Sequence, residues 1–168
     1  MRSCDARSPC ALAIVILLAG CGTEETPGDN PGGTPVEVLR AHTRELAARP
    51  EKAATQVRVR HILIAFEGTG TGAARTKDAA EQLTAELLQR LRAGEDFEAL
   101  MREHSDDPGP GVYTMTTGAS SPPAVFGRTE MVPAFGNVGW RLDVGEIGVA
   151  PYDPRNSQFG WHIIQRVD

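Results

Sequence analysis

Cysteine is scarce in this chain and confined to its front, at Cys4, Cys10 and Cys21. Downstream there is no thiol to pair or to ionise, which excludes a disulfide framework and a cysteine nucleophile from the rest of the chain. Positive charge is also short. Lys and Arg total 17 against 22 Asp and Glu, a formal charge of −5, and a nucleic-acid partner would call for a basic patch. Aromatics make up only 5% of residues. They cluster toward the C-terminus, where they read as core or pocket. The one long apolar run, Ala11 to Leu18, is too short to cross a bilayer. There is no internal repeat, no Gly-x-Ser-x-Gly elbow and no His-Glu-x-x-His pair.

What the N-terminus does carry is an export pattern. Arg2 and Arg7 precede the apolar run, and Leu18-Ala19-Gly20-Cys21 follows it. That tetrapeptide resembles the lipobox of bacterial lipoproteins. The resemblance implies cleavage after residue 20, a diacylglyceryl thioether on Cys21 and acylation of the new amino terminus. Cys4 and Cys10 would leave with the signal peptide, residues 1–20. Gly22, rather than Asp, after the cysteine resembles lipoproteins sent to the outer membrane. The expected location is therefore the bacterial cell envelope, lipid-anchored, with the outer membrane facing the periplasm. Residues 21–34 are rich in Gly, Pro, Asp, Thr and Glu; as a flexible tether they would hold a domain about 20 Å from the lipid.

Residues 35–50 read as a short helix. Thr34 can cap it, Pro35 suits its first position, and Val36, Leu39, Thr43 and Leu46 form a stripe that ends at Arg49-Pro50. That stripe packs either on the main domain or against a second copy. The main domain spans residues 56–168. Its first strand, Val57 to Phe66, alternates Val57, Val59, His61 and Leu63 on one face with Ile62, Ile64 and Phe66 on the other. Apolar residues on both faces require cover on both sides. Thr76 to Ala93 is the clearest helix, with Ala80, Leu83, Leu87 and Leu91 buried and Gly94 ending it. A shorter helix follows over Phe97 to His104, then a strand over Val112 to Met115, an irregular loop over Thr116 to Thr129 and a weak helix over Val132 to Trp140. Two further strands cover Ile147 to Ala150 and Gly160 to Val167.

Two histidines stand inside β-branched runs, His61 in Val-Arg-His-Ile-Leu-Ile and His162 in Gly-Trp-His-Ile-Ile. A lone imidazole in such a run is costly without a partner. Two of them in one small domain point to neighbouring strands with facing rings. Other constellations are weaker. Gly68-x-Gly70-x-x-Ala73 fits a dinucleotide fingerprint in form, but the domain has too few alternating strands and helices for that fold. His61, His104, Asp106 and His162 lack a metal-ligand spacing.

Seven segments in order resemble the parvulin-type peptidyl-prolyl isomerases. They are Val57 to Ile64, Arg75 to Ala80, Gly94 to Leu100, His104 to Asp107, Met131 to Phe135, Gly145 to Gly148 and Phe159 to Ile164. The resemblance implies an α+β fold, a four-stranded antiparallel sheet wrapped by three to four helices, with the first and last strands central and adjacent. It implies catalytic positions at His61, Asp107, Ser157 and His162. Substrate contacts fall at Met131 and Phe135 and, beside them, Tyr113 and Trp140. No metal and no cofactor is implied, and the partners would be proline-containing polypeptides. The implied activity is prolyl cis–trans isomerisation of exported proteins; a non-catalytic peptide-binding or chaperone module on the same fold is the alternative. Tyr113 stands where the family usually has an aliphatic residue, and Thr116 to Val125 is an insertion beside the expected pocket. Arg75 is the only cation in the loop after the first strand, so dependence on a phosphorylated residue is not expected.

Overall fold

The structure, a computed structural model, describes residues 33–168. The expected signal peptide, the lipidated Cys21 and nearly all of the tether lie outside the described residues.

Helix α1 (Pro35–Ala48) starts with Thr34 accepting the Glu37 amide while the Glu37 carboxylate accepts from the Thr34 amide, a reciprocal cap with Pro35 at the first position. Strand β1 (Gln56–Ile64) follows, then α2 (Lys77–Arg92), α3 (Phe97–His104) and β2 (Val112–Thr116). The two-residue β3 (Phe126–Gly127) and a 3-10 turn at Arg128–Glu130 lead into α4 (Pro133–Arg141). Strands β4 (Ile147–Ala150) and β5 (Trp161–Arg166) close the chain.

The fold is α+β, a sheet of order β3-β2-β1-β5-β4 with helices on both faces. Four strands pair antiparallel as expected, with β1 and β5 adjacent at the centre. A fifth is added at the edge, where Phe126 and Gly127 run parallel to β2. The loop expected over Thr116 to Thr129 therefore contains this edge strand.

Alternation along β1 divides the core in two. Ile62 and Ile64 join Leu87, Leu88, Phe97, Leu100, Trp161 and Ile163 beneath α2 and α3. Val57 and Val59 join Met115, Phe135, Val138, Trp140 and Ile164 beneath α4. Both faces are covered, as two apolar faces require.

Helix α1 lies against this same domain. Leu39 belongs to the first cluster and Leu46 to the second, each 1% exposed. Arg40 pairs with Glu81 of α2, and Arg49 with Glu146 at the start of β4. The buried position between the two leucines is His42, not the expected Thr43, which is only half-buried. Leu39, His42 and Leu46 follow the three-and-seven spacing of one helix stripe.

Candidate active site

Antiparallel pairing places Leu63 opposite His162 and His61 opposite Ile164. The two imidazoles are therefore diagonal neighbours on one face of the sheet. Their rings lie 5.4 Å apart, with Nδ1 of His162 3.3 Å from Nδ1 of His61. Both are 4% exposed.

The segment after α3 is stitched to the end of β1. The Leu63 amide donates to Ser105 Oγ, the Asp106 amide donates to the Leu63 carbonyl, and the Ala65 amide donates to the Asp106 carboxylate. Arg75 also pairs with Asp106, which closes the base of the loop after β1. Asp107 is thereby aimed back at the sheet, where its Oδ2 lies 2.8 Å from His61 Nε2.

Proton positions follow from what each atom can do. An ionised carboxylate only accepts, so His61 Nε2 carries the hydrogen toward Asp107. In the uncharged pair His61 Nδ1 is then an acceptor, and His162 Nδ1 donates to it. His162 Nε2 is left as a bare lone pair, buried and without a protein partner. The hydrogen bond from His61 holds the Asp107 carboxyl down at about 2, against the opposing effect of burial. Burial, reinforced by the neighbouring His61, pushes His162 down to about 3. At neutral pH the floor of the site carries a fixed anion at its Asp107 end and a neutral imidazole at its His162 end.

Above this floor is an open pocket of about 510 Å³. Tyr113, Met131, Val132 and Phe135 supply its apolar wall, with Phe159 and Leu63 completing it. Helix α4 brings Phe135 over the histidines: its ring lies 5.0 Å from His61 and 5.5 Å from His162, edge-on to both. Gly70 and Thr71 of the loop after β1 form the opposite lip. The glycine-rich loop thus borders this pocket, between a strand that ends in the sheet and a helix that packs on the other face.

Six of the eight residues expected in the site come together here: His61, Asp107, Tyr113, Met131, Phe135 and His162. Ser157 and Trp140 do not line the pocket. Ser157 is fully buried, and its hydroxyl donates to the Gly160 carbonyl at 3.0 Å, bracing the turn into β5 rather than reaching either histidine. Trp140 is five residues beyond Phe135, about 140° around the helix, and so faces another way. It is 2% exposed in the core, and its indole donates to the Ala54 carbonyl at 2.9 Å. Sequence reasoning missed Phe159 as a pocket residue. Its exposure, 39% for a phenylalanine next to a buried strand, is the structural sign.

The site is a sheet floor with two buried histidines chained to a half-buried aspartate, beneath an apolar wall open to solvent. Residues 44–168 match the PPIC-type PPIase domain, and the chain belongs to that family, the parvulin-type peptidyl-prolyl isomerases. The chaperone SurA of Chromohalobacter salexigens is 34% identical over 160 residues, 95% of this chain and 33% of that protein. The foldase protein PrsA of Geobacillus kaustophilus is 29% identical over 133 residues, 79% of this chain and 39% of that protein. Among solved structures, the peptidyl-prolyl isomerase ESS1 from Candida albicans superposes with a TM-score of 0.51 at 26% identity, covering 83% of this chain and 80% of that one. The chain spans between about a quarter and two fifths of the length of the curated relatives it matches.

Proposed function

We propose that this chain is an active peptidyl-prolyl isomerase, held in the bacterial cell envelope by lipid on Cys21, that acts on exported polypeptides. The supporting observation is Phe135 edge-on to His61 of the His61–Asp107 pair, with Met131 lining the same open pocket.

The chemistry asked of such a site is modest in kind and large in barrier. Rotation about a prolyl amide loses resonance worth about 18–20 kcal/mol, and no bond to be broken lies on the path. A nucleophile is therefore unnecessary. As the amide twists, its carbonyl–nitrogen dipole shrinks, so a pocket that excludes water favours the twisted state over the planar one. Met131 and Phe135 grip the pyrrolidine ring while the flanking chain lies across the lip at Gly70 and Thr71. Asp107 and the histidines set the field around the rotating carbonyl. His162 is kept neutral by burial, so its role is to orient His61 rather than to carry charge.

A second reading has an observation of its own. Tyr113 places a large ring in the wall, 5.4 Å from His61 and 6.0 Å from Phe135, which narrows the cradle. A peptide-binding chaperone module without turnover would tolerate that narrowing. A protease-coupled assay on the full-length chain with a proline-containing tetrapeptide decides between the two. Acceleration over the spontaneous rate, reduced about tenfold in Met131→Ala, supports catalysis. Binding of the peptide with only the spontaneous rate supports the chaperone module.

A further inference from the structure

Asp107 is held by three donors, more than its place in a turn requires. Its Oδ2 accepts from His61 Nε2 at 2.8 Å and from the Tyr113 hydroxyl at 3.0 Å, and its Oδ1 accepts from the Gly109 amide at 3.1 Å. The histidine and the turn amide already orient the carboxylate. The tyrosine adds a donor from a different element, β2, across the pocket wall.

We infer that Tyr113 is a positioning residue of the isomerase site, whose hydroxyl anchors the Asp107 carboxylate and keeps it ionised when an entering peptide displaces water. The inference rests on the isomerase reading above. A peptide that fills the pocket desolvates Asp107 further, and desolvation drives a carboxylate toward its protonated form. A protonated Asp107 would no longer fix the hydrogen on His61 Nε2, and the orientation of the pair would be lost. A second donor on the same oxygen opposes that outcome.

Three observations make the contact a built one. The ring of Tyr113 is clamped by Phe126 at 5.8 Å, Phe135 at 6.0 Å and His61 at 5.4 Å, so the hydroxyl has little freedom to leave. Space for it is reserved by Gly109, where a Cβ would lie 2.3 Å from the hydroxyl oxygen and 3.2 Å from both carboxylate oxygens. The two groups also hold compatible protonation states. Burial, with the neighbouring Asp107 charge, pushes the Tyr113 phenol up to about 12, so it remains a donor wherever Asp107 is an acceptor.

Tyr113→Phe in the full-length chain keeps the ring and removes the hydroxyl. Exchange of a proline-containing peptide is followed by NMR, which needs no coupling protease and so reaches acid pH. The expected result is a several-fold lower kcat with KM unchanged, and an acid limb of kcat moved to higher pH. In protein selectively 13C-labelled at aspartate, the Asp107 carboxyl begins to titrate at higher pH than in the wild type. Gly109→Ala reproduces the kcat loss in the tyrosine background but adds little in the phenylalanine background, because the two substitutions disrupt the same contact. A Tyr113→Phe protein with an unchanged acid limb and an unchanged carboxyl titration overturns the inference, as does full additivity with Gly109→Ala. If the wild type shows no turnover, the isomerase reading falls on its own. The carboxyl titration then still decides the anchoring, an upward move supporting it and no move overturning it.

Discussion

Nδ1 of His162 lies 3.3 Å from Nδ1 of His61, and only one of the two rings reaches a charged partner. That asymmetry makes the pair a source of acid sensitivity. Unfolded histidines take up protons near pH 6.5, whereas folded His162 stays neutral down to about 3. Between those values the unfolded chain binds more protons, so stability falls as pH drops from 6.5 toward 3. His42, on the buried face of α1 and lowered chiefly by that burial, acts in the same direction. Asp107 adds to the loss only below its unfolded value of 3.8. Urea midpoints should therefore begin to decline between about pH 7 and pH 5.5, above the range where glutamates held down by their ion pairs, such as Glu51 and Glu95, add to the loss. Imidazole 15N shifts should show His162 neutral throughout. A His162 resonance that titrates near 6.5 would overturn this assignment.

Met131 and Phe135 both face the pocket, but they differ in what else they do. Met131 is half-buried at the rim; Phe135 is 2% exposed and packs on both histidines and Tyr113. Met131→Ala should lower kcat/KM about tenfold, the equivalent of ~1.4 kcal/mol of transition-state binding, with little change in Tm. Phe135→Ala should lower kcat/KM at least as much and also remove about 3–5 kcal/mol of stability. His61→Gln should cost less activity than either. Equal activity losses in all three, with the fold intact, would contradict the division between a gripping wall and an orienting floor.

Trp140 supplies the converse case. Its indole is tied to the Ala54 carbonyl, and the Arg128 guanidinium stacks over its ring at 4.8 Å. Trp140→Phe leaves that half-buried carbonyl without its donor, so it should cost about 1 kcal/mol in a urea titration. KM for a proline peptide should not move. A raised KM at unchanged stability would return Trp140 to the pocket.

How far the sequence announced this site depends on which contacts are local. The histidine pair was legible because each imidazole interrupts a β-branched run, and the alternating pattern of β1 put His61 and Leu63 on the face that His162 shares. Helix limits were legible too. Thr34 caps α1 as its position suggests, and Thr76, read as the first residue of the second helix, caps α2. The burial of His42 had a signal in the Leu39–His42–Leu46 spacing, and the turn of Trp140 away from the pocket into the core had one in the helix period. The Tyr113–Asp107 bond had none, because it joins a turn to a strand and depends on how Ser105 to Asp107 is stitched to the end of β1. Strand β3 had none either, since two residues cannot display a period.

The turn before β5 holds the last piece of the site in register. Gly160 has φ +141°, and a Cβ there would lie 2.2 Å from the Ile64 carbonyl oxygen and 2.9 Å from Ala65 Cα. Both obstacles are backbone at the end of β1 and cannot swing aside as a side chain would. Gly145 also has a positive φ, +87°, but nothing stands within 4 Å of its would-be Cβ. The pair separates backbone strain from steric blockage. Gly145→Ala should cost about 1 kcal/mol, from strain alone. Gly160→Ala should cost about 3 kcal/mol or more, because β5 must shift away from β1. That shift would displace His162 from His61, so kcat should fall in whatever fraction still folds. Equal urea midpoints for the two variants would mean that the close approach of Gly160 to β1 does not hold the strands together.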